Sequence, residues 1–349
     1  MIKIKTTHKI VYDDSREMKD IKSESIDLVI TSPPYPMIEM WDEMFSKQNP
    51  DIGKALKENN GNLAFELMHK ELNKVWKEVY RVLKIGGIAC INIGDATRSL
   101  NKKFQMYPNH ARVLNACLNL GFHALPSILW VKETNKPNKF MGSGVLPVGA
   151  YVTLEHEHIL ILRKGDKREF RKTEEKLNRQ KSAFFWEERN IWFSDIWKDI
   201  NGVFQKLNHN KVRERSGAYP IELTYRLINM FSVQGDTILD PFLGTGTTTL
   251  GAIASARNSI GYEIDENFKE IIEERIKEIK GMVNTYIEER IEKHKEFMKK
   301  RAELKGEHKY WNKNYNFPVV TRQEREILIP KLKEIQKVEE NLFEAEYLF

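Results

Sequence analysis

Cysteine is scarce in this 349-residue sequence, and long apolar runs are absent from it. Its two cysteines, Cys90 and Cys117, lie within apolar patterns, which excludes a disulfide framework and predicts two buried thiols. No run approaches the ~18 apolar residues that a membrane span needs, and the N-terminal stretch MIKIKTTHKI lacks the apolar core of a secretory signal. We therefore expect a cytoplasmic protein without membrane contact.

Positive charge is only slightly in excess, but it is concentrated in one segment. The chain has 56 Lys and Arg residues against 50 Asp and Glu residues. Between Arg163 and Lys181, nine basic residues stand against four acidic ones. Such a segment is either a solvated face or the contact surface for a polyanion.

Strand and helix patterns alternate along most of the chain. Short apolar runs predict strands at 8–14, 26–31, 88–95, 124–132, 157–164, 236–242 and 258–265. Helical patterns predict helices at 63–83, 109–120, 220–231 and 246–256. The alternation predicts an α/β fold, a doubly wound and mostly parallel sheet with helices on both faces, in which ligands bind beyond the carboxyl ends of the strands.

Two segments depart from this alternation. Residues 166–215 are polar, basic and rich in tryptophan, and they separate residues 1–165 from a second α/β part, residues 216–270. Residues 271–349 are expected to be a charged helical extension that ends in a second charged helix. An apolar stripe begins just before its first helix and is expected to pack on the body of the protein or on a partner chain; its members are Phe268, Ile272, Ile276, Ile279, Val283, Ile287 and Ile291.

One predicted strand ends abruptly in the sequence TSPPY, which begins at Thr31. The two prolines fix the backbone, and Pro34 has no amide hydrogen to donate. A carbonyl group at this point is therefore kept from pairing with a neighbouring strand. The motif creates a fixed hydrogen-bond acceptor at the end of a buried strand.

A second strand ends in a glycine-rich turn, DPFLGTG, which runs from Asp240 to Gly246. Glycine lets the backbone approach a ligand closely, and the N-terminus of the helix that follows favours negative charge. Glu263 ends the next strand, where an acid accepts hydrogen bonds from ribose hydroxyls. Thr247 and Thr248 follow Gly246 in place of the P-loop lysine, which argues against ATP or GTP hydrolysis.

Together the two motifs resemble those of the S-adenosylmethionine-dependent DNA amino-methyltransferases, which methylate exocyclic nitrogens of cytosine or adenine in restriction-modification systems. The resemblance covers roughly residues 8–270. The Ser-Pro-Pro-Tyr motif precedes the cofactor motif, which is the circularly permuted order of the beta class. The resemblance implies a Rossmann-like class I methyltransferase fold, S-adenosylmethionine as cofactor, double-stranded DNA as partner, and target recognition by residues 166–215.

The resemblance also implies catalytic roles for Ser32, Pro33, Pro34 and Tyr35. Ser32 and the main-chain carbonyl of Pro33 would accept hydrogen bonds from the target amino group. The ring of Tyr35 would stack on that base after it has been flipped out of the duplex. Methyl transfer is then an in-line displacement in which positioning supplies most of the catalysis.

A cofactor pocket follows from the same resemblance. Thr247 would bond the methionine carboxylate, and Tyr219 and Pro220 would lie near the methionine end. Asp14 stands where the family has an acid that contacts the adenine amino group; Asp13 replaces the usual preceding glycine, so a simple turn acid is the alternative. The full set is Asp14, Tyr219, Pro220, Asp240, Phe242, Gly244, Gly246, Thr247 and Glu263.

The first residue of the catalytic motif indicates which base is modified. Ser-Pro-Pro-Tyr is associated in this family mainly with N4-cytosine methylation, and Asp-Pro-Pro-Tyr with N6-adenine methylation, so Ser32 favours cytosine and leaves adenine as the alternative. The longer string TSPPYPMIEMWD is similar to archaeal-type N4-cytosine methylases of short palindromes, CTAG among them. Carbon-5 methylation needs a thiolate, typically after a proline, and both cysteines follow alanine.

The basic insert is expected to contact DNA. Its Lys and Arg side chains would bind phosphates, which fix register without reading bases; those assigned are Lys172, Lys176, Arg179, Lys211 and Arg213. Three tryptophans of the insert are expected in the core of a small domain; they are Trp186, Trp192 and Trp197. The EHEH stretch at 155–158 is interpreted as chance, so no metal site is expected.

Two other classes of protein share parts of this pattern. A related methyltransferase of protein glutamine or RNA would carry Asn-Pro-Pro-Tyr after the cofactor motif and would lack the basic insert. A catalytically silent DNA-binding relative would have lost Ser32, Tyr35 or the two turn glycines, Gly244 and Gly246. The order of the motifs and the residues retained favour the DNA methyltransferase. We expect it to be a monomer or a homodimer. The resemblance also implies a cognate restriction endonuclease as a partner.

Overall fold

A ten-stranded sheet is the centre of the fold in the structure, a computed structural model that describes residues 4–132, 141–200 and 219–348. With strands numbered along the chain, the sheet contains β1 (Lys5–Tyr12), β2 (Ile26–Thr31), β3 (Leu83–Ile93), β6 (Phe122–Val131), β9 (His156–Lys164), β10 (Ile196–Trp197), β11 (Thr237–Asp240), β12 (Asn258–Glu263), β15 (Lys331–Glu339) and β16 (Leu342–Leu348). Short antiparallel pairs outside it are β4 (Ala96–Leu100) with β5 (Lys103–Tyr107), β7 (Met141–Gly142) with β8 (Ala150–Tyr151), and β13 (Tyr310–Trp311) with β14 (Pro318–Val319).

The order of strands across the sheet is β10-β6-β9-β3-β2-β11-β12-β1-β16-β15. The five central strands, from β3 to β1, run parallel to one another. Antiparallel strands flank them, β9 beside β3 and β16 beside β1. The carboxyl ends of all five parallel strands therefore meet at one edge, called the carboxyl edge below, and the predicted mostly parallel α/β sheet is confirmed.

Helices cover both faces of the sheet. They are α1 (Asp42–Gln48), α2 (Pro50–Lys57), α3 (Gly61–Val82), α4 (Asn109–Asn119), α5 (Thr173–Lys181), α6 (Trp186–Trp192), α7 (Ile221–Phe231), α8 (Thr247–Ala254) and α9 (Lys269–Lys305). Successive strand residues point to opposite faces. On one face Val29 and Leu239 pack with α3 and α4, and on the other Leu28 and Ile238 pack with α7. Burial on both faces explains why the central strands read as continuous apolar runs.

Tryptophans of the insert join the main core in its described part, residues 166–200. Trp192 packs with Tyr225 of α7, and Trp197 packs with Trp130 of β6. The indole nitrogen of Trp197 also donates to the carbonyl of Trp192 at 3.0 Å. The expectation that Trp192 and Trp197 lie in the core of a separate small domain is therefore wrong. Trp186 is exposed.

The long charged helix predicted after residue 266 is present as α9. Its apolar stripe is buried from Ile272 to Ile287 and packs on α8, β15 and the insert. The second charged helix predicted for residues 271–349 is wrong, because the chain ends in the hairpin of β15 and β16. Phe343, Ala345 and Tyr347 are buried at alternate positions. This two-residue period, typical of a half-buried strand, decides the structure more than the high charge does.

None of the helices in the described ranges is both long enough and apolar enough to cross a membrane.

Candidate active site

The motifs that the sequence singled out converge at the carboxyl edge. Ser32 follows β2, the glycine-rich turn follows β11, Glu263 ends β12, and Asp14 follows β1. These four strands are neighbours in the sheet. The fold thus brings together residues that lie more than half a chain apart, as expected for a ligand site in a sheet of this type.

The catalytic motif is held at both of its ends. The hydroxyl of Thr31 donates to Oδ1 of Asp240 at 2.6 Å, which fixes the last residue of β2 to the end of β11. After the two buried prolines, the hydroxyl of Tyr35 lies 3.1 Å from Oγ of Ser32. Ser32 and Tyr35 are each only partly buried, so both reach the space at the carboxyl edge.

Asp240 links the catalytic motif to the cofactor motif. Besides Thr31, its carboxylate accepts hydrogen bonds from the hydroxyls of Thr248 at 2.6 Å and Tyr219 at 3.3 Å and from the amide of Phe242 at 3.0 Å. Burial raises the pKa of this carboxyl group, and the four hydrogen bonds oppose that rise. Tyr219 and Pro220, which precede α7, are both buried next to this cluster.

The glycine-rich turn has the backbone that its sequence predicts. Gly244 and Gly246 have φ angles of +54° and +83°, in the left-handed region that glycine adopts without strain. A Cβ atom at Gly244 would meet nothing within 4 Å, so open space lies in front of the turn. Gly246 immediately precedes α8, whose first residue is Thr247.

Glu263 reaches back to the turn. Its carboxylate accepts hydrogen bonds from the amide of Gly244 at 2.7 Å and from the amide of Asp265 at 2.9 Å. Burial raises the pKa of Glu263 to about 7, although these hydrogen bonds oppose the shift. The acid predicted to bind ribose therefore lies against the glycine predicted to admit the ligand, and it titrates near neutral pH.

Asp14 lies at the same edge but already has a partner. Its carboxylate accepts hydrogen bonds from the side chain and the amide of Arg16, at distances of 2.6 to 2.9 Å. Partial burial opposes ionisation of Asp14, yet the contacts with Arg16 bring its pKa below the usual value. Arg16 also pairs with Glu71 at 2.6 Å. With these contacts Asp14 is a turn acid paired with an arginine. A contact between Asp14 and the adenine amino group of the cofactor stays a prediction.

Four residues of this region were missed by the sequence analysis. Glu157 and Asn92 contact the hydroxyl of Tyr35, and Lys132 pairs with Glu157. Arg275 of α9 donates to the carbonyl and hydroxyl oxygens of Thr245, both at 2.6 Å, and thereby ties the glycine-rich turn to α9. Glu157 lies in the EHEH stretch that was interpreted as chance, and the other three are single residues on other elements, for which sequence spacing gave no signal.

The histidines next to Glu157 form a stacked pair. His158 and His110 lie ring on ring, with centroids 3.9 Å apart, and Nδ1 of His110 is 2.8 Å from Asp95. Ligand atoms of these three residues lie within 4.8 Å of one another. The bond to Asp95 gives His110 a partner without an ion, and the expectation of no metal site stays a prediction.

Three of the five assigned DNA-binding residues lie at the other edge of the sheet. Lys172, Lys176 and Arg179 are exposed on or beside α5. The segment that leads into α5 is anchored where Arg168 pairs with Asp236 at 2.6 Å, directly before β11. This is the amino end of the parallel strands, so the structure does not bring these three cations together with Ser32. The remaining two assigned residues, Lys211 and Arg213, fall outside the described ranges.

Comparison with known proteins defines the class. The model of the N6/N4 DNA methylase family matches residues 26–274, and the chain belongs to this family. It is 53% identical over 345 residues to the Type II methyltransferase M.MthZI of Methanothermobacter thermautotrophicus, an alignment that covers 99% of this chain and 96% of that one. It is 52% identical over 286 residues to M.MjaI of Methanocaldococcus jannaschii, covering 79% and 93% of the two chains.

Solved structures agree with this assignment. TTHA0409 of Thermus thermophilus, in its complex with S-adenosyl-L-methionine, superposes with a TM-score of 0.61 at 30% identity and covers 78% of this chain and 94% of that one. The PvuII cytosine-N4-specific DNA methyltransferase superposes at 0.52 with 17% identity, covers 78% and 93%, and supports the fold alone. The chain is a DNA methyltransferase whose cofactor is S-adenosylmethionine, and the open turn and the acid of β12 fit that cofactor.

A methyl group added at Gly244 should interfere with the cofactor more than with folding. Gly235 is the matched control, because it also has a positive φ (+84°) and also has open space around a Cβ. We expect Gly244→Ala and Gly235→Ala to lose about 1 kcal/mol of unfolding free energy each through left-handed strain. Only Gly244→Ala should weaken cofactor binding, by more than about tenfold. Titration calorimetry checks this, and equal affinities would place the cofactor elsewhere.

Cofactor affinity should depend on the ionisation of Glu263. The ionised carboxylate accepts hydrogen bonds from ribose hydroxyls, so binding favours the deprotonated form. Because the pKa of Glu263 is raised to about 7, affinity should increase as the pH rises through that value. The variant Glu263→Gln should bind the cofactor more weakly, and its affinity should not rise between pH values below and above 7. Titration of the cofactor's own amino group affects both proteins equally. Parallel pH profiles for the two would contradict the assignment.

Proposed function

We propose that this methyltransferase modifies the exocyclic N4 of a cytosine that is flipped out of a short duplex sequence, and that it protects that sequence from a cognate restriction endonuclease. The observation that carries the choice of base is Ser32, a serine where adenine-specific relatives have mainly aspartate. N6 of adenine is the alternative within the same family. Similarity to two Type II methyltransferases supports the link to restriction.

The site can orient an amino group without a covalent nucleophile. S-adenosylmethionine supplies a methyl group on a positively charged sulfur, which is already a good leaving group. Ser32 and the carbonyl of Pro33 accept the two amino hydrogens and aim the nitrogen lone pair. The hydrogen bond from Thr31 to Asp240 fixes these acceptors relative to the glycine-rich turn. Their contribution is positioning, which raises the rate without a change in chemistry.

Carbon-5 methylation is disfavoured by the state of the two thiols. Cys90 lies within β3 and Cys117 within α4, and both are fully buried. Burial raises the pKa of Cys117 to about 12 and that of Cys90 further. Neither thiol ionises at neutral pH, and neither reaches the carboxyl edge. A thiolate attack on a cytosine ring is therefore without a nucleophile in this protein.

The identity of the methylated nucleoside tests the proposed base. Duplexes that contain CTAG, or the same bases in scrambled order, would be incubated with the protein and cofactor carrying a labelled methyl group. After digestion to nucleosides, mass spectrometry should detect labelled N4-methylcytosine from the CTAG duplex. N6-methyladenine would select the alternative base, and product from both duplexes would exclude that recognition sequence.

DNA should approach the carboxyl edge, where the target base must enter. The hairpin of β4 and β5 follows β3 at that edge and exposes Lys102 and Lys103 at its turn. Lys172 and Lys176 lie near the opposite edge and provide a control with the same change of charge. The structure thus favours the hairpin lysines for phosphate contacts, whereas the sequence favoured the insert.

Salt dependence of DNA binding distinguishes the two surfaces. Replacing Lys102 and Lys103 together with glutamine should flatten the plot of log affinity against log salt by about 0.9 for each phosphate that is no longer neutralised. Replacing Lys172 and Lys176 in the same way should leave the slope unchanged. Fluorescence anisotropy at several salt concentrations gives both slopes, and the reverse ranking would restore the insert as the DNA-binding surface.

A further inference from the structure

A carboxylate lies directly behind the catalytic motif. Glu157, near the start of β9, accepts a hydrogen bond from the hydroxyl of Tyr35 at 3.0 Å and one from the amide of Asn92 at 2.6 Å, both on Oε2. Its Oε1 accepts from the ammonium group of Lys132 at 3.1 Å. The side chain of Glu157 is only 14% exposed, so these partners replace most of its water. Removing a carboxylate from water costs free energy, even when both of its oxygens are hydrogen-bonded as they are here.

The hydroxyl of Tyr35 connects this carboxylate to Ser32. It lies 3.1 Å from Oγ of Ser32 and 3.0 Å from Glu157, so a continuous chain of hydrogen bonds runs from Ser32 to Glu157. Burial, followed by the charge of Glu157, raises the pKa of Tyr35 well above its usual value, and its hydroxyl therefore keeps its proton. Stacking on a base uses only the ring, which phenylalanine would supply equally well. The hydroxyl thus has a place in the structure that stacking does not explain.

We propose that the Tyr35 hydroxyl and Glu157 remove the proton that the target amino group loses during methyl transfer. This inference rests on Ser32 receiving the amino group, as proposed above, and it holds for cytosine or adenine. Tyr35 and Glu157 act through Ser32 and are positioning residues in this step. Sequence patterns gave no indication of it, because Glu157 lies on a different strand from the motif.

The step balances without an additional reactant. A bond forms between the amino nitrogen and the methyl carbon, while the bond from that carbon to sulfur breaks and leaves its electron pair on sulfur. The nitrogen passes one proton to Oγ of Ser32, Ser32 passes its own to the hydroxyl of Tyr35, and Tyr35 passes its own to Oε2 of Glu157. Glu157 becomes a neutral acid and later releases the proton to solvent.

The surroundings of Glu157 keep it ready to accept a proton. Lys132, whose side chain is 41% exposed, holds one oxygen and leads toward solvent. Asn92 from β3 donates to the other oxygen, and Gly94 packs against the side-chain stem. Trp130 is its register partner on β6. Among these neighbours Tyr35 and Lys132 are the titratable groups. A methylated amino group that still carries its extra proton is a strong acid, so a carboxylate paired with a cation is basic enough to receive it.

Two isosteric variants interrupt the chain of hydrogen bonds at different points. Tyr35→Phe keeps the stacking ring and removes the relay hydroxyl, and Glu157→Gln keeps the shape and removes the acceptor. Glu155→Gln is the matched control, because Glu155 is an exposed acid two residues away. Single-turnover methyl transfer would be measured with saturating cofactor and DNA, and flipping would be followed with a base analogue that fluoresces when unstacked.

We expect Tyr35→Phe and Glu157→Gln to slow methyl transfer by about 100-fold, the lower end of what general-base catalysis contributes. Cofactor binding, DNA binding and flipping should match the wild type, and Glu155→Gln should react normally. Wild-type methyl transfer should be slower in heavy water than in ordinary water, because protons move along the chain of hydrogen bonds during the step. Both slow variants should lose this isotope effect, which a purely structural role of the two residues would leave in place.

Three results would overturn the relay. These are a wild-type rate in either variant, a slow rate that retains the wild-type isotope effect of heavy water, and a slow rate explained entirely by lost flipping. Failure of the proposed function can be distinguished from failure of the relay, because the wild type itself would then yield no N4-methylcytosine or N6-methyladenine. Failure of the relay leaves the wild-type product unchanged.

Discussion

The buried carboxylate of Asp240 is the contact on which the site depends. It receives hydrogen bonds from the end of β2, from the first turn of α8 and from Tyr219 ahead of α7, which are up to 209 residues apart in sequence. A buried carboxylate is costly unless it is fully hydrogen-bonded, so these elements can hold it only in one arrangement. That arrangement sets the distance between the TSPPY motif and the glycine-rich turn.

The separation of the two motifs along the chain makes this contact more important. In this chain the catalytic motif, the insert and the cofactor motif follow one another, and neither motif is near the other along the chain. The parallel pairing of β2 with β11 aligns the two strands, but strand pairing alone does not fix side chains beyond the strand ends. The hydrogen bond between Thr31 and Asp240 does so at the last residue of each strand.

Sequence reasoning succeeded where function requires a local backbone shape and failed where it requires a distant partner. The proline motif and the glycine-rich turn each specify their own conformation, so their place at strand ends was predictable. Glu157 and Arg275 are single residues whose roles follow from packing against other elements. Composition alone predicts a DNA surface or a solvated face for the basic run at 163–181, because composition cannot tell which edge of the sheet a segment follows, and the DNA surface stays a prediction. The strands at the end of the chain were missed because charged residues obscured a two-residue apolar period.

The pairing of β1 also constrains how the chain is assembled during synthesis. β1 is synthesised before the other strands of this sheet, yet its two neighbours in the sheet are β12 and β16. Its contacts with them span 251 residues, from Thr7 to Asn258, and 341 residues, from Thr6 to Tyr347. β1 therefore waits unpaired while the rest of the sheet is made, and contacts of such long range form slowly. Exposed Lys5, Thr7 and Lys9 alternate with the buried Thr6, His8 and Ile10, and charged side chains on an unpaired strand disfavour its pairing with other nascent chains.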